Sequence, residues 1–192
     1  MHCAREESLR LMRTETIRKI CERRMEIEGK KTCRGNAAQF LVAAELSRRG
    51  LVAAITLGNC PNTDILCSNT AGTRFAHIQV KTFVPGTRSC TVGMKAEREY
   101  AQGFFWVLVG VPMDSQDGRI QYYIIPSSIM APNVIECFKM WSEAKGQFGL
   151  IHDPENTIRS VRLPPHRNRN GWELSKYLGA WHFVDEQLAG VP

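Results

Sequence analysis

Hydrophobic and polar positions change their period several times along this chain, and each change marks an element. Over residues 1–31, Leu9, Met12, Ile17 and Ile20 recur at roughly helical spacing among many Arg and Glu residues, which predicts one or two amphipathic helices. A further helix is expected to start at Gly35-Asn36. In it Gln39, Val42, Ala43 and Leu46 stand at i, i+3, i+4 and i+7, so one face is continuous and core-directed, with Gln39 as its polar exception. Glu45 lies roughly 240° around the helix from Gln39 and points elsewhere. Arg48 and Arg49 suit the negative end of the helix dipole, and Gly50 is a natural residue to follow the C-cap.

The period then falls to two. Leu51 to Leu57 reads as a strand, Gly58-Asn59-Cys60-Pro61-Asn62 as a turn, Thr63 to Ser68 as a second strand and Asn69-Thr70-Ala71-Gly72 as a hairpin turn. Arg74 to Phe83 is a third strand, ended by Pro85-Gly86. On it Phe75, His77, Gln79, Lys81 and Phe83 share one face, and Ala76, Ile78, Val80 and Thr82 the other. Phe104 to Val111 is an almost unbroken apolar run, the mark of a fully buried central strand. Gln116-Asp117-Gly118 turns the chain into a partner strand, Ile120 to Ile125. Pro126-Ser127-Ser128 caps a helix that continues through Met140-Trp141 to Lys145, with Pro132 expected to interrupt or restart it. Residues 146–171 read as loop and Glu173 to Leu188 as a final helix, with Trp141, Trp172 and Trp181 at helical core positions. This order predicts an α/β sandwich built on a central mixed sheet flanked by helices.

A chain of 192 residues fits an N-terminal helical extension over 1–31 and a single domain over 32–192. The net charge of +6 and pI of about 9.1 favour a polyanionic partner such as nucleic acid. Arg10, Arg13, Arg18, Lys19, Arg23 and Arg24 are candidates for a basic arm on DNA. The interleaved Glu residues favour instead a helix packed on the domain or on a second copy, which would make a homodimer. The seven cysteines are odd in number and form no CxxC pair, against a disulfide framework or a zinc ribbon. They read as reduced thiols of a cytoplasmic protein. The first residues lack the apolar core of a signal peptide, and no window has the ~18 apolar residues of a membrane span.

Chemistry enters where polar groups occupy strand positions expected to be apolar. Asp64 opens one strand, and Gln79 and Lys81 share a face of the next. Adjacent strands can bring such side chains within a few ångströms. Asp64 offers an anionic oxygen, Gln79 an amide oxygen, and the Val80 carbonyl a third oxygen where the ladder breaks. Hard oxygens with places left for water suit Mg²⁺ or Mn²⁺. Lys81 beside such an ion can position or deprotonate a water for attack on phosphorus. The plainer alternatives are that Asp64 closes the turn after Asn62, that Gln79 and Lys81 form the solvated face of an edge strand, and that Gln39 bonds to backbone in the core. His77 reads as structural, Asn59 and Asn62 as turn formers, and Arg167 and Arg169 as a solvated loop or as phosphate contacts.

The helix opened by Gly35, the Asn62-Thr63-Asp64-Ile65 strand and the His77-Ile78-Gln79-Val80-Lys81-Thr82 strand together resemble the PD-(D/E)XK nuclease superfamily. The likeness is to its small bacterial branch with an Ile-Gln-Val-Lys-Thr strand. It covers residues 35 to about 84 well and 100–141 loosely, through the buried strand and the Tyr122-to-Ser127 step from strand to helix. The resemblance implies a restriction-endonuclease-like fold and a metal-dependent endonuclease, acting on nucleic acid and above all on DNA. By position, Asp64 is the metal-binding Asp, Gln79 replaces the second acidic residue, Lys81 is the catalytic Lys, and Gln39 falls where the family has its helix Glu. Gln39 and Gln79 are amides where carboxylates are common, so Asp64 is the one clear anion. Two readings compete with an enzyme: a nucleic-acid-binding module of the same fold that has lost catalysis, and a protein-interaction subunit dimerising through residues 1–31.

Overall fold

A computed structural model describes residues 2–57, 60–112, 118–146, 149 and 151–189, with backbone only for 2–18 and 20–24. The side chains of Leu9, Met12, Ile17 and Ile20 and of the candidate arm apart from Lys19 thus lie outside the described residues. So do Asn59 and the Gln116-Asp117 part of the expected turn. Contacts within the chain divide it into Met1–Asn36 and Ala37–Pro192.

Helix α1 runs His2–Arg48 without the break expected at Gly35. Gly29 and Gly35 sit inside it. A lone helical Gly costs only about 1 kcal/mol relative to Ala, and no proline stands in this segment to stop the ladder. In the first unit, residues 25–33 are exposed on every side, including Met25 and Ile27. There Lys30 pairs with Glu26 one turn back, 2.6 Å apart.

In the second unit Ala38, Val42 and Leu46 of α1 are fully buried, as the periodicity requires, while Gln39 and Ala43 are half-buried at the margin of that stripe. The helix ends where expected. Gly50 adopts φ 81°. Its N–H donates to the Ser47 carbonyl (2.9 Å) and the Leu51 N–H to the Leu46 carbonyl (3.1 Å), the paired bonds of a Schellman cap.

Five strands form one sheet in the order β1 (Val52–Ile55), β2 (Ile65–Ser68), β3 (Phe75–Phe83), β5 (Phe104–Gly110), β6 (Gln121–Pro126). Only the β3–β5 pair is parallel. A parallel pair needs a long crossover. Here it holds β4 (Ser89–Thr91) and a 3-10 turn, Met94–Glu97. Strand β4 pairs with β7 (Ser160–Arg162) in a second, two-stranded sheet. The stretch 146–171, expected to be loop, therefore contributes a strand. Its register cue is weak, because among the described residues Val161 and Leu163 are the only buried apolar side chains along it.

Apolar residues fill both faces of the main sheet. On one, Ile65, Cys67, Ala76, Ile78, Val80, Phe105, Val107, Val109 and Ile124 pack with Ala38, Val42 and Leu46 of α1 and with Val184 and Leu188 of α3 (His182–Ala189). On the other, Phe83, Phe104, Trp106, Leu108, Tyr123 and Ile125 pack with Met130 and Val134 of α2 (Ser127–Glu143) and with Cys90 and Val161 of the small sheet. This is the expected mixed-sheet α/β sandwich, with helices on both faces of the sheet.

Two helices depart from expectation. Pro132 lies within α2, which runs on through it; the ring removes one backbone donor without ending the helix. The final helix is α3 alone rather than Glu173 to Leu188. Residues 173–181 instead contain a 3-10 turn, Ser175–Tyr177, and Gly179 at φ 64°. The Gly179 N–H donates to the Tyr122 carbonyl (2.8 Å), which ties this segment to β6 and forbids a continuous helix. Trp172 and Trp181 are buried as expected, but neither is helical, and Trp141 on α2 is only half-buried.

Leu46 tests the docking of α1. It is fully buried, and Leu46→Ala should cost about 2–5 kcal/mol of stability in urea unfolding. A loss below about 1 kcal/mol, the size of an ordinary surface change, would mean that this face of the helix does not seal the core.

Candidate active site

The site begins with strand register. Ile65 pairs with Ile78, so Asp64, just before β2, stands across from Gln79 on β3. The Asp64 N–H donates to the Ile78 carbonyl (2.9 Å), and the Thr56 N–H donates to the Asp64 carbonyl (3.0 Å), fixing its backbone between two neighbours. Before it, Asn62 turns the chain at φ 67° and accepts a hydrogen bond from the Tyr100 hydroxyl at 3.3 Å. Asn62 is thus a turn former with a tertiary contact.

The Asp64 carboxylate is held by two donors. Its Oδ2 accepts hydrogen bonds from the Gln79 side-chain amide and, at 2.6 Å, from the Val80 N–H. Burial raises the Asp64 pKa above the ordinary aspartate value; the Val80 N–H, the charges of Lys81 and Lys95, and the Gln79 amide oppose that rise. The half-buried Asp64 carboxylate takes both of its donors from β3, besides standing at the end of the turn. Strand β3 is an interior strand, so Gln79, largely buried, and Lys81, half-buried, are not the solvated face of an edge.

Lys81 alternates to the same face as Gln79, and its charge acts on Asp64 and on the Cys90 thiol. Burial pushes that thiol up to about 12 and the Cys67 thiol up to about 11, so neither is a thiolate at neutral pH. Trp106 pairs with Gln79 across β3–β5 and lies beside it on this face. Its indole N–H is buried and has no hydrogen-bond partner among the described residues.

Asp64, Gln79 and Lys81 therefore converge. Gln39 is placed differently. It lies on α1, whose buried stripe packs against the Ile78 and Val80 face, whereas Gln79 and Lys81 project to the opposite face. Gln39 is not among the hydrogen-bond partners of Asp64. Val80 enters through its N–H rather than, as expected, through its carbonyl. His77 has the structural role expected of it, with Nδ1 3.2 Å from the Thr63 hydroxyl. Glu45 is spent on Arg48 and Arg49, at 2.8 and 2.9 Å.

Lys95 was not legible in the sequence. It sits in the Met94–Glu97 turn of the crossover, where no hydrophobic period marks its direction. Only the folded crossover brings its charge to bear on Asp64.

The donor set suits a hard cation if it suits any. Asp64 and the Gln79 amide oxygen are oxygen ligands. Among the described residues no three His, Cys, Asp or Glu side chains cluster as a metal site.

No protein-family model matches this chain, and no curated protein does. Among solved structures, the bacterial homing endonuclease I-Ssp6803I is similar at 15% identity and a TM-score of 0.46, over 81% of this chain and 91% of that one. Among the described residues no helix is long and apolar enough to cross a membrane.

The pKa direction of Asp64 has a testable sign. A carboxyl raised in the folded state gives stability that is full below its unfolded pKa and is lost as pH rises through the folded one. Asp64→Asn cannot ionise, so its stability should gain on the parent's as pH rises from below the ordinary aspartate pKa of about 3.9 through the raised one. Urea midpoints of both proteins across that range measure the gain. A difference that stays constant with pH would mean that the folded site does not penalise the charge.

Proposed function

We propose that this protein is a metal-dependent nuclease that hydrolyses phosphodiester bonds of nucleic acid, DNA in the first place. The observation that supports this reading is the convergence of Asp64, Gln79 and Lys81 on one sheet face, with Asp64 partly buried and its carboxylate held by the Gln79 amide and the Val80 N–H. In the proposed site Asp64 and the Gln79 amide oxygen would hold Mg²⁺ or Mn²⁺, without the help of Gln39, which lies in the other layer. A bound divalent ion supplies stabilisation of the charge that develops on the phosphate oxygens.

The protein's own groups do the rest. To present oxygen to a cation, Gln79 must release the N–H bond it now donates to Asp64 and turn its amide over. Lys81 orients the attacking water and attracts the phosphate. Water oxygen bonds to phosphorus and gives up a proton to solvent, the bond to the leaving sugar oxygen breaks, and that oxygen takes up a proton from solvent. Lys95 adds a second positive charge near the Asp64 carboxylate. Net charge of +6 favours the polyanion.

One observation favours a second reading, a nucleic-acid-binding module without hydrolysis. The site has a single carboxylate, and both positions where the resembled family carries acids are Gln. A plasmid-cleavage assay with Mg²⁺ and with Mn²⁺ separates the two. Under the nuclease reading, Lys81→Ala should lower cleavage by about 10²–10⁴-fold, the range for losing a proton-handling group. DNA affinity should change little. Cleavage undiminished in that variant would assign the activity elsewhere.

The amide at position 79 gives a sharper test. Two carboxylates side by side repel without an ion, and a divalent cation reverses that. Gln79→Glu should therefore raise Mn²⁺ affinity in calorimetric titration and shift cleavage to lower metal concentration. Negligible heat from both proteins would rule out a metal site here and favour the binding module.

A further inference from the structure

A cleft of about 320 Å³ opens between the second half of α2 and residues 156–169, and its lining includes Phe138, Trp141, Asn156, Arg162, Asn168 and Arg169. None of these is in the candidate active site. Phe138 and Trp141, three residues apart on α2, put their rings side by side with centroids 5.5 Å apart. Trp141 is stacked on His152 at 4.1 Å, and the Arg159 guanidinium lies 3.2 Å from the Phe138 centroid. Together they make an aromatic wall whose neighbouring rings are tilted by 31° and 29°.

The polar groups divide by whether they are already occupied. Arg159 is buried and committed to Glu97 and to the Ile158 carbonyl, so it supports the wall rather than a ligand. Asn168 is equally committed, accepting from the Arg162 N–H (2.8 Å) and donating to the Trp172 carbonyl (3.0 Å). Arg162 and Arg169 are exposed and belong to none of the ion pairs found among the described residues. The Asn156 side-chain oxygen accepts from the Ile158 N–H (2.7 Å), and Asn156 lines the cleft.

An aromatic wall and two uncommitted guanidiniums, in a space at the small end of ligand pockets, define a ligand with one flat ring and one anion. A purely apolar ligand would strand the cations, and a phosphate alone would leave the rings unused. A paired and stacked base has no free face to offer. We propose that the cleft takes one unpaired nucleotide of a nucleic-acid strand, its base against Phe138 and Trp141 and its phosphate on Arg162 and Arg169. This rests on the nucleic-acid partner of the proposed function but not on hydrolysis. It would give the protein a preference for single-stranded or locally opened substrate.

Fluorescence anisotropy with a labelled single-stranded oligonucleotide and with its duplex, both in EDTA, tests this without cleavage. Trp141→Ala should weaken single-strand binding roughly 5- to 150-fold, the range for losing one stacked base, with duplex affinity unchanged. Trp141→Phe should restore most of it. The double variant Arg162→Ala, Arg169→Ala, confined to the surface, should flatten the salt dependence of single-strand binding by about 0.7 log units per log salt, the share of one phosphate. Single-strand binding indifferent to all these changes, or lost equally for duplex, would overturn the cleft while leaving the nuclease reading standing. Competition by a free nucleoside monophosphate as strong as by the oligonucleotide would overturn the strand as its ligand. A parent that binds neither single strand nor duplex would remove the nucleic-acid reading itself.

Discussion

Strand β3 is the element on which the core and the candidate site both depend. It is paired on both edges, antiparallel to β2 and parallel to β5, so its backbone has no freedom to shift without breaking two ladders. Period-two alternation then sends Ala76, Ile78 and Val80 into the layer under α1 and α3, and Gln79 and Lys81 into the other. A slip of one residue would exchange the two sets and bury a lysine among Val42, Leu46 and Val184. The apolar face therefore fixes the register, and the polar face inherits its geometry from it.

Within that geometry Asp64 is a balance of opposed terms. Burial disfavours its charge, while the Val80 N–H, two lysines and the Gln79 amide favour it. An amide at position 79 suits this balance, because it can donate to the carboxylate where a second acid would repel it.

The crossover between β3 and β5 links the site to the far layer. A parallel connection must be long, and here the length is used. Its 3-10 turn, Met94–Glu97, carries Lys95, whose charge acts on Asp64, and Glu97, which pairs with Arg159 under the aromatic wall of the cleft. Tyr100, at the end of the same segment, bonds the Asn62 side chain and stacks on Phe104 with centroids 4.1 Å apart. The turn before Asp64 is thereby held from the crossover as well as from the sheet.

The sequence by itself determined the elements whose period is strong: the five strands of the main sheet, the C-terminal stripe of α1 with its Gly50 cap, and α2. It also determined that Asp64, Gln79 and Lys81 can meet, because two-residue alternation and strand order are local and nearest-neighbour properties. Three things needed the tertiary structure. Gly35 does not interrupt α1, since one glycine costs too little to break a helix that is otherwise consistent. Residues 173–181 are not helical, since the Gly179 contact to β6 outweighs their local preference. And the layer in which Gln39 lies, the reach of Lys95 to Asp64, and the cleft between α2 and β7 all depend on which face a distant segment covers. Composition and spacing carry no record of that, because the contacts that decide it join residues far apart in the chain.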